Sequence, residues 1–233
     1  MESRRGAQGG LAGLTLIAAL LIGGFASLGV WQVHRLSWKR DLIARVDARI
    51  HAAPVPAPRS ANASDEYRRV AASGRFRHDE ATLVQASTAL GAGYWVMTPL
   101  VTDAGFTLLV NRGFVSPEAR RSYARPMGQV HITGLVRLSE PVGGFLRAND
   151  PAANRWYSRD VAAIATARHL PEPVAPYFID ANAMQDALPI GGLTIVTFPN
   201  SHLVYAVTWF ALAAMTLAAY IYAMFSARTP PNP

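Results

Sequence analysis

The side chains best placed to do chemistry in this sequence stand at the head of an apolar segment close to its end. His202, Tyr205, Trp209, Ala213, Thr216 and Tyr220 follow one another by three or four positions, which lays polar and aromatic groups along one stripe of a helix. A neutral imidazole at the edge of such a segment can ligate haem iron axially, and the helix behind it offers the apolar surroundings a porphyrin needs. His202 is therefore a candidate haem-iron ligand, with Tyr205 and Trp209 as candidate neighbours of the cofactor. The same residues also suit a plainer role, an interfacial histidine capping helix-end groups above a belt of aromatic rings. Spacing alone leaves both readings open.

Other chemistries find less support. The chain has no cysteine, which removes thiol nucleophiles, thiolate metal sites, disulfides and thioether haem attachment together. Neither a Gly-x-Ser-x-Gly elbow, a phosphate loop, a dinucleotide fingerprint nor a His-Glu-x-x-His helix occurs. His78, Asp79 and Glu80 are adjacent, so on a strand or turn they point apart and read as a solvated tip. His131 and His169 stand alone. Arg112, Arg120, Arg121 and Arg125 form a basic stretch that reads as an exposed surface or as a clamp for carboxylates or phosphates. Stacking aromatics are not interleaved with it, and nucleic acid is not an expected partner.

Two apolar runs dictate the architecture that must position these groups. Leu11–Val33 and Leu203–Phe225 contain no Asp, Glu, Lys or Arg, and each matches the roughly 20 residues that cross a bilayer core as a helix. Two spans put both termini on one side and the intervening chain on the other. The sequence thus divides into a tail at 1–10, a first span at 11–33, a juxtamembrane amphipathic helix at 34–53, a domain at 54–200, a second span at 201–226 and a tail at 227–233. In the amphipathic segment Leu36, Ile43, Val46 and Ile50 alternate with basic residues that can meet anionic lipid, and Trp31 and Trp38 serve as anchors. The ten residues before the first span are too few for an amphipathic presequence, so the chain reads as a bacterial protein with an uncleaved anchor. Small residues at Ala19, Gly23 and Ser27 predict the face on which the first span meets the second, opposite Ala206 and Ala213.

The domain reads as mainly β. Strands are predicted at Arg68–Phe76, Ala81–Ala86 and Gln129–Leu138, with Val130, Ile132 and Leu135 as core contacts of the last. Tyr94–Thr102 and Phe106–Asn111 form a hairpin around Asp103, Ala104 and Gly105. Asp160 caps a short helix reaching about His169, and Tyr177–Ile179 and Leu193–Phe198 close the domain as strands. The expected fold is membrane-anchored α+β: two transmembrane helices flanking a mainly antiparallel, barrel-like extracytoplasmic domain with one or two short helices.

Several stretches together resemble a known family. Gly29, Trp31, Gln32, Arg35 and Lys39 end the first span in a Gly-x-Trp-Gln-x-x-Arg-x-x-x-Lys pattern. GYWVMTPL (93–100), LVNRGFV (109–115), GLVRLSE (134–140) and NRWYSRD (154–160) then follow in order, and NSHLVYAVTWF (200–210) opens the second span. In this order they resemble the Surfeit locus 1 family over nearly the whole chain. The resemblance implies a non-enzymatic assembly factor for cytochrome c oxidase, or a related haem-copper oxidase, acting as haem a enters the catalytic subunit. It implies that subunit and the haem a synthesis enzyme as partners, haem a held transiently through His202, an inner-membrane location with both termini cytoplasmic, and a periplasmic domain. Arg112 and Trp156 are candidate contacts of that domain with the oxidase, or equally structural residues within it.

Overall fold

The computed structural model describes residues 2–141, 147–183, 188–194 and 200–226, and only the backbone of residues 2–12. The chain divides into two compact units, one formed by Met1–Arg45 with Thr197–Pro233 and the other by Val46–Val196.

The first unit is helical. Helix α1 spans Glu2–His51 without a break through the predicted span and the amphipathic segment, and it ends as Pro54 approaches, since proline disfavours helix in the residue before it. The second long helix, His202–Ser226, is counted below as α3; its 25 residues extend about 37 Å at 1.5 Å per residue. Both helices are long and apolar enough to cross a membrane, with Leu16, Leu20, Leu203 and Val207 among their exposed side chains.

The second unit is a closed sheet. Its strands are β1 (Val55–Pro56), β2 (Arg69–Phe76), β3 (Thr82–Thr88), β4 (Gly91–Thr102), β5 (Thr107–Val115), β6 (Gln129–Leu138) and β7 (Val174–Ala181), with helix α2 (Val161–Ala167) before β7. The order β2-β6-β7-β5-β4 returns to β2 through a β2–β4 pairing, giving a five-stranded ring of Greek-key type. β3 extends it beyond β4 and β1 flanks β2. Closure needs a glycine: a Cβ on Gly74 would lie 2.2 Å from the Val101 carbonyl where β2 crosses β4. Most pairings are antiparallel as expected, but β5 and β7 run parallel, as do β1 and β2. The long passage from β6 through α2 returns β7 alongside β5 in the same direction, a crossover that the hydrophobic pattern did not reveal.

Alternation splits the apolar residues between two layers. Leu108 and Val110 of β5 and Tyr177 and Ile179 of β7 fill the barrel with Val70, Leu100 and Val136. Leu109 and Phe178 point outward and pack under α2 with Trp156, Val161 and Ile164. Every residue of β5 is consequently buried. On β6 the core contacts are Val130, Ile132 and Val136; Leu135 is buried but lies on the opposite face, as period two demands. Asp160 caps α2 by accepting from the Ala163 N–H at 3.1 Å. The helix stops at Ala167, and His169 takes a left-handed φ of 50° while Leu170 N–H returns to the Ala165 carbonyl. Of the strand predicted at Leu193–Phe198, Leu193 and Thr194 are irregular and the remainder lies outside the described residues, as does the tail at 227–233.

Candidate functional site

His202 is the first residue of α3, and its imidazole meets α1. Its Nδ1–H donates to the Oε1 of Gln32 at 2.7 Å, and Gln32 is 9% exposed. With the amide oriented as it stands, Nδ1 carries a proton, and the neutral imidazole then has its lone pair on Nε2. An imidazole whose second nitrogen donates to a carbonyl is the usual arrangement of a metal-ligating histidine, because the outer bond fixes tautomer and ring orientation. The donor set therefore fits an axial ligand. Sequence reasoning placed Gln32 in a family-like pattern without giving it a role. The available signal was a primary amide inside an otherwise apolar run, a group that must find a partner when removed from water.

Below this pair the helices meet through further cross contacts. Trp209 stacks on Phe25 with ring centroids 5.8 Å apart at 26°, and Tyr220 shares a hydrogen bond with Thr15 at 3.0 Å. The facing row on α3 is His202, Ala206, Trp209, Ala213, Thr216 and Tyr220, stepping by four and three. Tyr205 is not in it: the side chain is 53% exposed, and Ala206, at 2%, occupies the place. The structure thus brings His202 and Trp209 to one face and leaves Tyr205 on another. On α1 the row is Ala18, Ile22, Phe25, Gly29 and Gln32 rather than Ala19, Gly23 and Ser27. Gly23 has open space where a Cβ would stand, and the Ser27 hydroxyl donates back to the Gly23 carbonyl. Close approach occurs instead at Gly29, where a Cβ would lie 2.7 Å from the Phe210 ring. A strict small-xxx-small reading shifted the seam by one residue, because Phe25 and Ile22 contribute to it as well.

The remaining candidates lie in the β domain and are engaged there. The His78 ring bonds the Pro126 carbonyl through Nε2 at 2.9 Å, and Glu80 pairs with Arg77. The His131 Nδ1 meets the Ser73 hydroxyl across β2 and β6 at 2.8 Å. Arg112 is no surface cation: it is 5% exposed, donates to the Ala124 carbonyl at 2.7 Å, and lies over Phe76 and Tyr123. Burial lowers its pKa from the ordinary value; the charge of Arg125 adds to this and Tyr123 opposes it. Trp156 is 1% exposed and donates to Asn154 Oδ1, so it is core. Arg120, Arg121 and Arg125 are exposed.

A second polar centre went unforeseen. Asp180 on β7, 6% exposed, accepts from Asn111 at 2.8 Å, Thr194 at 2.8 Å, Arg137 at 3.2 Å and Arg159 at 3.3 Å. Arg159 also donates to Glu140 at 2.7 and 2.9 Å and lies over Trp95 and Phe178. A cavity of about 170 Å³ is lined by Trp95, Asn111, Arg137, Arg159 and Asp180, with Gly113 and Thr194. Trp95, Asn111, Arg137, Glu140 and Arg159 come from four of the six family-like stretches, so segments scattered through the sequence converge on one network.

That convergence has a counterpart in comparison with known proteins. A sequence model of the SURF1 family matches residues 19–214, from within α1 to the middle of α3. This chain belongs to the SURF1 family. Within that family it is 40% identical to Surfeit locus protein 1 of Homo sapiens over 217 residues, which cover 81% of this chain and 70% of the relative. Identity to Surfeit locus protein 1 of Mus musculus is 36% over 93% of this chain and 76% of the relative. The SURF1-like protein of Drosophila melanogaster is 36% identical over 87% and 73% of the two chains.

Proposed function

We propose that this SURF1 family member is an assembly factor for cytochrome c oxidase that assists delivery of haem a to, or its insertion into, the catalytic subunit. The observation that carries the reading is the His202–Gln32 pair at the meeting of two apolar helices. Haem a, when bound, would supply an iron that accepts an imidazole nitrogen and a porphyrin that must be kept from water. In this chain His202 offers Nε2, Gln32 holds the ring by its Nδ1 proton, and Trp209, stacked on Phe25, adds an apolar wall. The protein assigns itself no bond-breaking step in this reading; its work is to hold, orient and release. The domain of Val46–Val196 is periplasmic, both termini are cytoplasmic, and the membrane is the bacterial inner membrane. Its partners are the oxidase catalytic subunit and the haem a synthesis enzyme.

A second reading is favoured by the same bond. An imidazole already bonded to Gln32 serves equally as a polar clamp between the helices of a docking protein that stabilises the oxidase core without binding haem. Haem titration of the purified wild-type protein and of His202→Ala separates the two. Loss of an imidazole-ligated spectrum in the variant is expected; equal haem uptake with identical spectra leaves only the clamp. The role in assembly itself is tested by a reduced-minus-oxidised spectrum of membranes lacking this protein. The expectation is loss of a-type haem with b- and c-type signals retained, and an unchanged spectrum refutes it.

A further inference from the structure

Where α1 ends and β2 begins, the domain of Val46–Val196 carries a cleft of about 310 Å³ that the oxidase reading does not use. Its walls include Arg49 from the last turn of α1, Arg68 and Arg69 from the start of β2, and Ser64 and Asp65 from the short 3-10 turn between them; Val55 and two alanines complete it. Three arginines and a single carboxylate therefore share the lining.

That carboxylate is already committed. Asp65 receives Arg68 on Oδ1 at 3.3 Å and the Asn62 backbone N–H on Oδ2 at 3.1 Å, closing a capping box on its own turn. The neighbouring acids are also engaged: Glu66 faces Arg137 at 3.5 Å, and Asp47 pairs with His51 at 3.4 Å. Among the described residues neither Arg49 nor Arg69 has an ion pair. An anion entering the cleft would meet two positive charges that no carboxylate among the described residues pairs. Arginine forks match oxyanions bidentately, and three of them offer more donors than the two oxygens of a carboxylate can take up. A tetrahedral group with several acceptor oxygens suits the donor set better.

We infer that this cleft binds a phosphate group, carried either by an anionic phospholipid headgroup or by free phosphate. The test uses full-length protein, delipidated in non-ionic detergent and titrated with inorganic phosphate and with short-chain phosphatidylglycerol. Short-chain phosphatidylcholine is the zwitterionic control, and bound ligand is counted by native mass spectrometry. The double variant Arg49→Gln/Arg69→Gln is set beside Arg120→Gln/Arg121→Gln, which removes the same charge from an exposed loop elsewhere. Arg49→Gln/Arg69→Gln is expected to weaken binding by about tenfold or more, as loss of two charge-assisted bonds requires, while the loop variant binds as wild type does. Weakened phosphatidylglycerol binding identifies the headgroup as the source; weakened binding of phosphate alone identifies the free ion. Equal affinities in the two double variants, or wild type that takes up neither ligand above the control, overturns the inference. Should the double variant fail to match the wild-type circular dichroism, Arg69→Gln alone carries the same comparison.

Discussion

Replacing Asp180 by Asn removes a buried carboxylate shared by two partly buried arginines, and the structure sets the size of the effect. Asp180 accepts four hydrogen bonds, two of them from guanidiniums whose side chains are 16% and 14% exposed. Summing charge-assisted bonds one by one overstates the loss, because Arg159 keeps Glu140 at 2.7 Å and Arg137 keeps Glu66 and Glu140 at 3.5 and 3.4 Å. The cost therefore falls at the low end of the range for breaking a buried pair, about 3 kcal/mol. For a domain of this size that lowers the melting temperature by roughly 6–12 °C. Glu140, with a side chain 37% exposed, is screened by water, and Glu140→Gln is expected to cost about 1 kcal/mol, or roughly 2–4 °C. Both variants are melted as full-length protein in detergent, with near-ultraviolet circular dichroism following the packed aromatic residues of the barrel. A melting temperature for Asp180→Asn equal to or above that of Glu140→Gln would refute the argument that burial, rather than the number of ion pairs, decides the energetics here.

Three other perturbations test the remaining elements. Gln32→Leu keeps the size of the side chain but removes the acceptor from His202, and haem affinity in a spectroscopic titration should fall about tenfold or more, as for other residues that orient a metal ligand; unchanged affinity beside a complete loss in His202→Ala would show that Gln32 orients nothing. Trp209→Ala should reduce oxidase levels in membranes more than Met215→Ala, since Trp209 stacks on Phe25 while Met215 is 59% exposed; equal levels would count against the seam. Tyr177 is buried, its hydroxyl donates to the Pro58 carbonyl at 2.6 Å, and burial raises its pKa. A raised pKa favours the protonated form in the folded state, so this stability is present below the ordinary tyrosine value of about 10 and is lost as pH climbs past it. Tyr177→Phe should therefore cost about 1 kcal/mol at neutral pH and flatten the alkaline loss of stability; a parallel pH profile would exclude Tyr177 as its source.

Much of the fold was legible because its signals are local. The two spans announce themselves by uncharged length, the β4–β5 hairpin by Gly105 between two apolar runs, and α2 by Asp160 at its cap. The closure of the barrel was not, since it depends on the pairing of β2 with β4 and of β5 with β7, contacts between residues far apart in sequence that leave no period in either strand. Site residues divide in the same way. His202 and Trp209 were found from helical spacing, yet that spacing also admitted Tyr205, because steps of three and of four drift to opposite sides of a seam and only the facing helix selects between Tyr205 and Ala206. Asp180 gave no signal at all: it sits in an ordinary strand, and its importance comes from partners on β5, β6 and the segment before α2.

Three of the contacts between α1 and α3 run in inverse order along the two helices, Thr15 to Tyr220, Phe25 to Trp209 and Gln32 to His202, each of a different chemical kind. A ladder of this sort acts as a ruler. Sliding one helix past the other by a single turn, about 5.4 Å, would break a hydroxyl pair, an aromatic stack and an amide–imidazole bond at the same moment. The hairpin is therefore a mast of fixed register rather than a piston, and His202 is held at one depth. Any rearrangement at that histidine must proceed by swinging a side chain or by parting the helices sideways.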